Sequence, residues 1–508
     1  MKTFLSLLIL GLLQATISIA SEPADGLPPN IEIVSQDSLY ITVLDKNTGL
    51  TRTLYCPGEP KIGPGWEMRP SAAIPSGWLP NQNASMFDTC FSFPRIAVLS
   101  GYLEHHLFGD ADRDGLIEIA ALGAGYDEYI FEYTGHDSLY ELQAVIPDGG
   151  GMDYGGDADL DGKLEMMGSV GESMTLFEAP DSFSLPTDSV YAWPWNVGNS
   201  VFPGGFTDLD GDGITEVSFR QRLSRLTILR CTGDNQYELA CNVFCPDSLI
   251  DNYYDYVWGD LDNDGKNEMV WTGSMGWILT YENVAPDSYA FVSMNEVRER
   301  NADWIVGPAD LDSDGLKEFY VMSAALWLGG SFFYGFESDG DNSFAQFWTD
   351  SLPGAGWFGG TLDLGDVDGD QIEELVICSV YWIAVYRANE AGLLQPVYLR
   401  RSPPGEIFIQ AFVYDTNLNG YDEMLTGRFI YEYLPGSHYR GDMNEDCILN
   451  LLDVTYLVNY YKGMDAFSLP PDIYEADING NCQVNGIDIL YLVNFFRGGP
   501  PPIDRDCN

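Results

Sequence analysis

The stretch GDLDNDGKNEM, residues 259–269, crowds Asp260, Asp262, Asp264 and Glu268 into nine positions. At ~4 Å and an effective dielectric near 20, each pair of like charges repels by roughly 4 kcal/mol. Such a cluster requires a cation among the carboxylates.

Reading outward, the pattern D-x-D-x-D-G-x-x-E recurs with first aspartates at Asp110, Asp157, Asp208, Asp260, Asp310 and Asp366, and in a softened form at Asp415. The steps between them are 47, 51, 52, 50, 56 and 49 residues. A period of this length marks repeated supersecondary units, as in propellers and solenoids. After each loop comes a run rich in β-formers, such as EIAALGAG, EVSFRQR, EMVWTGS, EFYVMSA and ELVICSV. A second recurring segment follows, as in YIFEYTGHDSLYEL, LTILRCTGDNQYEL and WILTYENVAPDSYAFV, and reads as two further strands joined by a Gly/Asp/Asn turn. With the strand that leads into the loop, each unit holds about four strands and almost no helix, the content of a propeller blade.

Oxygen-only ligands suit a hard cation, and calcium accepts six to eight of them. Counting the first aspartate as position 1, positions 1, 3 and 5 send three side chains inward, a glycine at 6 permits the sharp turn and the glutamate at 9 closes the shell. The expected ligands are Asp110, Asp112, Asp114 and Glu118; Asp157, Asp159, Asp161 and Glu165; Asp208, Asp210, Asp212 and Glu216; Asp260, Asp262, Asp264 and Glu268; Asp310, Asp312, Asp314 and Glu318; Asp366, Asp368, Asp370 and Glu374; and Asp415, Asn417, Asn419 and Glu423. An EF-hand places an acidic residue at position 12, where these loops carry Ala121, Gly168, Phe219, Trp271, Val321, Ile377 or Thr426. Two loops depart from the pattern. Gln371 replaces the glycine of the sixth, and the two asparagines of the seventh predict the weakest binding there.

Across roughly residues 100–435 these loops resemble the FG-GAP/VCBS repeats of integrin α-subunit heads, fungal lectins and many exported bacterial proteins. The resemblance implies a mainly β, seven-bladed propeller with a calcium in each blade, here assigned to residues 22–435. After the last loop EMLTGRFIYEYLP supplies only two strands, so the missing outer strand is expected from the N-terminal SLYITVLDKNTGLTRTLY. Residues 56–100 exceed what that closure needs, and an eighth, calcium-free blade is the alternative.

From Gly441 the pattern changes to DMNEDCILNLLDVTYLVNYYKG, repeated as DINGNCQVNGIDILYLVNFFRG. Asp442, Asn444, Asp446, Asn450 and Asp453, and then Asp477, Asn479, Asn481, Asn485 and Asp488, occupy positions 1, 3, 5, 9 and 12 of EF-hand-like loops, each running into an amphipathic helix. Residues 441–499 resemble a type I dockerin, a small α-helical module that docks exported proteins onto cohesin domains, and a cohesin-type scaffold is the partner this implies. Residues 436–440 form a linker and 500–508 a proline-containing tail. Cys447 and Cys482 both take position 6, where glycine is usual, and either pair with each other or remain separate buried thiols. Tyr456, Asn459 and Tyr460, with their counterparts Tyr491, Asn494 and Phe495, give duplicated helix faces for docking. The alternative is a calcium-stabilised cap folded onto the propeller. Arg440-Gly441-Asp442 spells an integrin ligand, but Asp442 is committed to the loop.

The N-terminus MKTFLSLLILGLLQATISIA has Lys2, an apolar run and small residues at Ser18 and Ala20. It reads as a signal peptide, residues 1–20, since the run is shorter than the ~20 residues a spanning helix needs. A secreted protein without membrane insertion is expected. The formal net charge of −53 accompanies 45% hydrophobic residues, so the chain has a packed core despite its acidity. Nucleic acid and anionic lipid are excluded as partners by that charge. Four histidines make a histidine-rich zinc or copper site an unsuitable reading, and nine cysteines leave at least one outside an internal pair.

For ligand binding, Trp193, Trp195, Tyr254, Trp304 and Trp357 precede inner strands, where they either rim the channel and stack on sugars or pack between blades. His105, His106, Glu104 and Asp153 have no marked catalytic partner, and Cys231, Cys241 and Cys245 read as a short disulfide on one hairpin. The chain is therefore read as a non-catalytic exported propeller that binds a glycan or surface partner and is tethered through its dockerin. The alternative is a polysaccharide hydrolase or lyase of a cellulosome-like system, which rests on analogy of fold and appendage.

Overall fold

In the computed structural model the described residues are 31–36, 40–45, 51–55, most of 93–462 outside short connecting segments, 476–497, and 502, 503 and 505. The chain divides into two compact units, Met1–Ala73 and Ile74–Asn508. In the first, β1 (Ile31–Gln36), β2 (Tyr40–Asp45) and β3 (Thr51–Tyr55) form an antiparallel three-stranded sheet. Its side chains, the signal segment and residues 56–92 lie outside the described residues.

The second unit contains seven four-stranded antiparallel sheets. Six are consecutive in sequence, beginning with β5 (His105–Gly109), β6 (Glu118–Leu122), β7 (Glu128–Tyr133) and β8 (Tyr140–Ile146). The seventh combines Phe412–Tyr414, Glu423–Thr426 and Phe429–Tyr431 with β4 (Arg95–Val98), which lies far back in the sequence. The ring is thus closed by an N-terminal strand, but that strand is Arg95–Val98 rather than SLYITVLDKNTGLTRTLY, whose residues belong to β2 and β3 of the other unit. Register explains the choice: Val98 and Ala97 face Phe429 and Ile430, and Ala97 and Leu99 enter the same apolar cluster as Leu425 and Ile119.

Seven apolar clusters sit between successive blades, each drawing on two neighbours. The fourth and fifth blades share Val257, Val270 and Ile278 with Phe319 and Phe336, and the seventh and first share Leu425 and Ile430 with Ile119 and Phe131. Because both faces of a blade are covered, its second strand is buried throughout, as in Glu268–Gly273 and Glu374–Ser379. Outermost strands such as Ser288–Glu296 are largely solvated. A ring whose seven seams are all filled leaves no seam for an eighth blade among the described residues.

Polar contacts add to the seams near the inner strands. Thr361 Oγ1 donates to Ala411 O at 3.0 Å and accepts from Ala411 N at 2.7 Å, while Asp363 accepts the Val413 N–H at 2.8 Å. The C-terminal segment contributes helices Leu451–Tyr461 and Gly486–Phe495, and Leu457, Leu492 and Phe495 join the cluster shared by blades six and seven. Ile503 is buried against blades five and six, and Arg505 Nε donates to Ser402 O at 3.0 Å.

Two predictions follow from this architecture. Removal of residues 1–91 should preserve a cooperative unfolding transition, whereas removal of 1–100 should lower its midpoint sharply, because a buried large side chain is worth ~1.5–3 kcal/mol and both Phe93 and Leu99 are lost with the closing strand. Urea titration of both truncations distinguishes β4 from the earlier strands as the closure. Burial pushes the Asp363 carboxyl up to about 7, so between pH 4 and 7 the folded state holds a proton that the unfolded chain has released, and this contribution to stability is lost as pH rises through 7. Asp363→Asn should therefore lose less stability than the parent between pH 5 and pH 8, as read from the urea midpoints.

Candidate metal centres

Each acidic loop joins the first strand of a blade to the second. Residues at positions 4 and 6 adopt positive φ in all seven: Arg113, Leu160, Gly211, Asn263, Ser313, Gly369 and Leu418 at the former, and Gly115, Gly162, Gly213, Gly265, Gly315, Gln371 and Gly420 at the latter. Two left-handed residues in alternation curl the backbone so that its N–H groups point at the loop's own carboxylates. The position-6 N–H donates to the position-1 side chain, as from Gly162 to Asp157 at 2.9 Å and from Gly420 to Asp415 at 2.9 Å. Gln371 at φ 70° makes the same bond to Asp366 at 2.7 Å, so the loop geometry survives loss of its glycine.

The glutamate at position 9 ties the loop to the sheet. It begins the second strand, is at most 1% exposed in every blade, and accepts the position-2 N–H through Oε2, at 2.5 Å for Glu118 and Glu165 and 2.8 Å for Glu216 and Glu268. The other oxygen, Oε1 of Glu118, Glu165, Glu216 and Glu268, is buried with no hydrogen-bond partner, as is Oδ1 of Asp157 and Asp260. Burial pushes Glu118, Glu165 and Glu216 up to about 8 and Glu268 and Glu318 up to about 7. Expected ligands converge in the first three loops: oxygens of Asp110, Asp112 and Asp114, of Asp157, Asp159 and Glu165, and of Asp208, Asp210 and Glu216 lie within 4.8 Å of one another. Buried, unpartnered carboxylate oxygens beside further carboxylates fit a hard cation.

Three features escaped the sequence pattern. Opposite the position-9 glutamate, across the second and third strands, stands another glutamate: Glu132 faces Glu118, Glu178 faces Glu165, Glu282 faces Glu268 and Glu337 faces Glu318. Like charges directly opposed in a sheet are unfavourable, so this recurrence reinforces the demand for a cation. Its sequence signal is the glutamate after an aromatic in YIFEY, TLFEA, LTYEN and YGFES. In blades two and four a lysine at position 7 answers part of that demand, Lys163 lying 2.7 Å from Asp161 and 2.9 Å from Glu178, and Lys266 pairing with Asp264 and Glu282.

The third feature is a clasp between blades. The turn joining the third and fourth strands of one blade reaches the loop of the blade before it. The N–H groups of Asn235, Asp287 and Asn342 donate to Oδ2 of Asp159, Asp210 and Asp262, each at 2.6 Å. Asn342 Nδ2 also donates to Glu282 at 2.7 Å, and its φ of 55° is one that asparagine tolerates better than alanine.

The second C-terminal loop follows the same geometry. Gly480 and Cys482, at positions 4 and 6, have φ of 64° and 62°, and Cys482 N donates to Asp477 Oδ2 at 2.7 Å. Asn450 and Asn485 cap the two helices, and the position-12 residues Asp453 and Asp488 return bonds to the cap N–H groups at 2.7 and 2.8 Å. Asp453 Oδ1 accepts Met443 N at 3.0 Å, so a carboxylate one methylene shorter than glutamate reaches both the cap and the loop. Asn444 and Asp446 lie outside the described residues. Cys482 is disulfide-bonded, which excludes a free thiol there, and its partner lies outside the described residues.

Several expectations need correction. Tyr491 packs against the clusters of blades five to seven and Phe495 is buried, so that helix face is turned toward the propeller; the exposed hydrophobic residues of the two helices include instead Leu451, Leu452, Tyr461, Ile487 and Leu490. Arg440, assigned to a linker, is buried and its Nη1 lies 3.2 Å from Asp477, and with Asp442 also buried the tripeptide is not displayed. Cys231 and Cys241 are free thiols set opposite Tyr237 and Ile228 rather than each other, and Cys245 lies outside the described residues. Trp193 lies on the outermost strand of blade two, away from the inner strand, and packs on Phe219. Tyr254 and Trp304 do lie on inner strands, while Trp195 and Trp357 fall outside the described residues. His105 and His106 are on β5, and Asp153 opens the inner strand of blade two.

Residues 260–321, from the fourth loop into the fifth blade, match the model of the FG-GAP-like repeat. No curated protein matches the chain. Among solved structures the chain is similar to BBS1N in complex with ARL6DN, from crystals soaked with lead, at 12% identity and a TM-score of 0.45, covering 69% of this chain and 99% of that one. The same complex soaked with mercury gives 11% identity and a TM-score of 0.47 over the same shares. Likenesses this distant carry no functional argument.

The clasp predicts that Asn342→Ala costs about 1–2 kcal/mol, from the lost bond to Glu282 and the disfavoured φ, and that Asn342→Gly costs less. Equilibrium urea unfolding of the two variants checks the order.

Proposed function

We propose that this chain is an exported, calcium-stabilised β-propeller that binds a glycan or surface partner without catalysing a reaction, and is tethered to a larger assembly through a dockerin–cohesin contact. The observation that carries the calcium reading is the set of buried Oε1 atoms of Glu118, Glu165, Glu216 and Glu268, which have no protein partner and face acidic loops. Calcium would be held by the side chains at positions 1, 3, 5 and 9, where it neutralises charge and ties loop to strand. Its chemistry there is structural.

The export reading rests on the N-terminal apolar run. The tethering reading rests on the duplicated loop-helix segment, and it is supported by the exposed apolar starts of both helices, Leu451 and Leu452 in one and Ile487 with Leu490 in the other. A cohesin-type partner would cover these residues, since the opposite helix faces are already packed on the propeller.

Metal removal tests the first part. Excess chelator should lower the melting temperature sharply, and restored calcium should recover it, because a ligand that binds only the folded state stabilises it by mass action. An unchanged melting curve in chelator sinks the calcium reading. For the second part, the protein in calcium is incubated with plant, algal and bacterial polysaccharides and new sugar ends are measured by mass spectrometry. The expected outcome is retention of the polymers intact, and oligosaccharide release would favour a polysaccharide-degrading enzyme instead.

A further inference from the structure

The residue opposite the position-9 glutamate is not always acidic. Arg230 faces Glu216 in blade three, and Arg387, next to Tyr386 in the register of blade six, lies beside Glu374. The two arginines behave differently. Arg230 is drawn outward, its Nη2 lying 2.8 Å from Asp212 and 2.9 Å from Asp287, the latter on the hairpin tip of blade four, and Glu216 Oε1 keeps no partner. Arg387 turns into its own loop. Its Nε and Nη2 donate to Glu374 Oε1 at 2.9 and 2.6 Å, Nη2 pairs with Asp368 Oδ2, and Asp370 lies 3.4 Å away.

Topology accounts for the difference. Loops two to four each receive a hairpin tip from the following blade on the Oδ2 of position 3. The blade after loop six is the composite one, whose fourth strand is β4 and is not joined to the third by a hairpin. Among the described residues, the partner that Asp368 Oδ2 meets is Arg387 of its own blade and not a hairpin tip of the next.

We propose that the Arg387 guanidinium is the resident cation of loop six, so that this loop, although it carries all four acidic positions, takes no calcium. This rests on the calcium reading of the other loops and deepens it: metal occupancy around the ring is set by the residue opposite position 9 and by whether the next blade ends in a hairpin. Glu374 Oε1, the oxygen that is orphaned in loops one to four, is here satisfied from within the chain. Blade six, beside the closing blade and the C-terminal helices, would then hold its loop without metal.

The experiment counts calcium ions on the intact mature chain by native mass spectrometry, in the parent and in two variants of the same position. Arg387→Glu restores the acidic pair of the other blades and should add one calcium per molecule. Arg387→Ala removes the guanidinium without adding a carboxylate and should also add one. If Arg387→Glu does not fold, Arg387→Ala alone decides: gain of one ion supports the assignment and an unchanged count overturns it. An unchanged count in a folded Arg387→Glu variant, with calcium present in the parent, also overturns it while leaving the calcium reading intact. Absence of calcium from every form overturns both.

Discussion

The structure depends on one buried carboxylate repeated seven times. The position-9 glutamate stands at the first residue of each second strand, accepts a backbone N–H from its loop with one oxygen, and turns the other toward the loop's remaining acids. Removing an ionised carboxylate from water is costly unless its charge is answered nearby. That cost couples the loop to the sheet: a cation that answers the charge also fixes the turn between the first two strands. The chain answers it with Arg387 in the sixth loop and with Asn417 Nδ2 donating to Glu423 Oε1 at 2.5 Å in the seventh, while the position-7 lysines of loops two and four pair with other carboxylates. The orphaned oxygens of the first four loops mark where the protein supplies no such answer.

The second constraint is closure. A propeller is held by apolar packing between blades, and every seam must be filled for the ring to resist opening. Six blades are local in sequence, so their hairpins can form early at small loop-closure cost, whereas β4 must return across more than 300 residues to complete the seventh. The buried Arg400 reinforces that return, its guanidinium donating to Phe93 O and lying 4.2 Å from the Tyr431 ring centre. The last joined blades are also the ones onto which the C-terminal helices pack, so the non-local half of the fold is the more heavily buttressed.

Much of this was legible in the sequence because period-fifty spacing and acidic loop grammar are local signals. The blade count followed from seven loops, and the turn geometry from glycine at position 6. What escaped is non-local. Nothing in Arg95–Val98 distinguishes a four-residue closing strand from the longer β-rich run at 38–55, because the choice is made by which strand presents Ala97 and Leu99 to the seam. The tryptophan of AWPWNVGN was displaced to an outer strand because the blade-two turn is longer than its neighbours, which moves every later residue outward. The acidic partner opposite position 9 was visible as a recurring aromatic-Glu pair, but its meaning needed the register of two strands.

The C-terminal segment shows how the same turn serves two architectures. In a blade, the curl formed by positive φ at positions 4 and 6 leads into a strand, and a glutamate at position 9 closes it. In the C-terminal loop the curl of Gly480 and Cys482 leads into a helix, Asn485 at position 9 becomes its cap, and closure passes to Asp488 one helical turn later. The backbone of positions 1 to 6 therefore does not decide which element follows. The decision lies in whether position 9 is a long carboxylate that reaches back from an extended strand or a short amide that accepts the N–H of Ile487 and begins a helix.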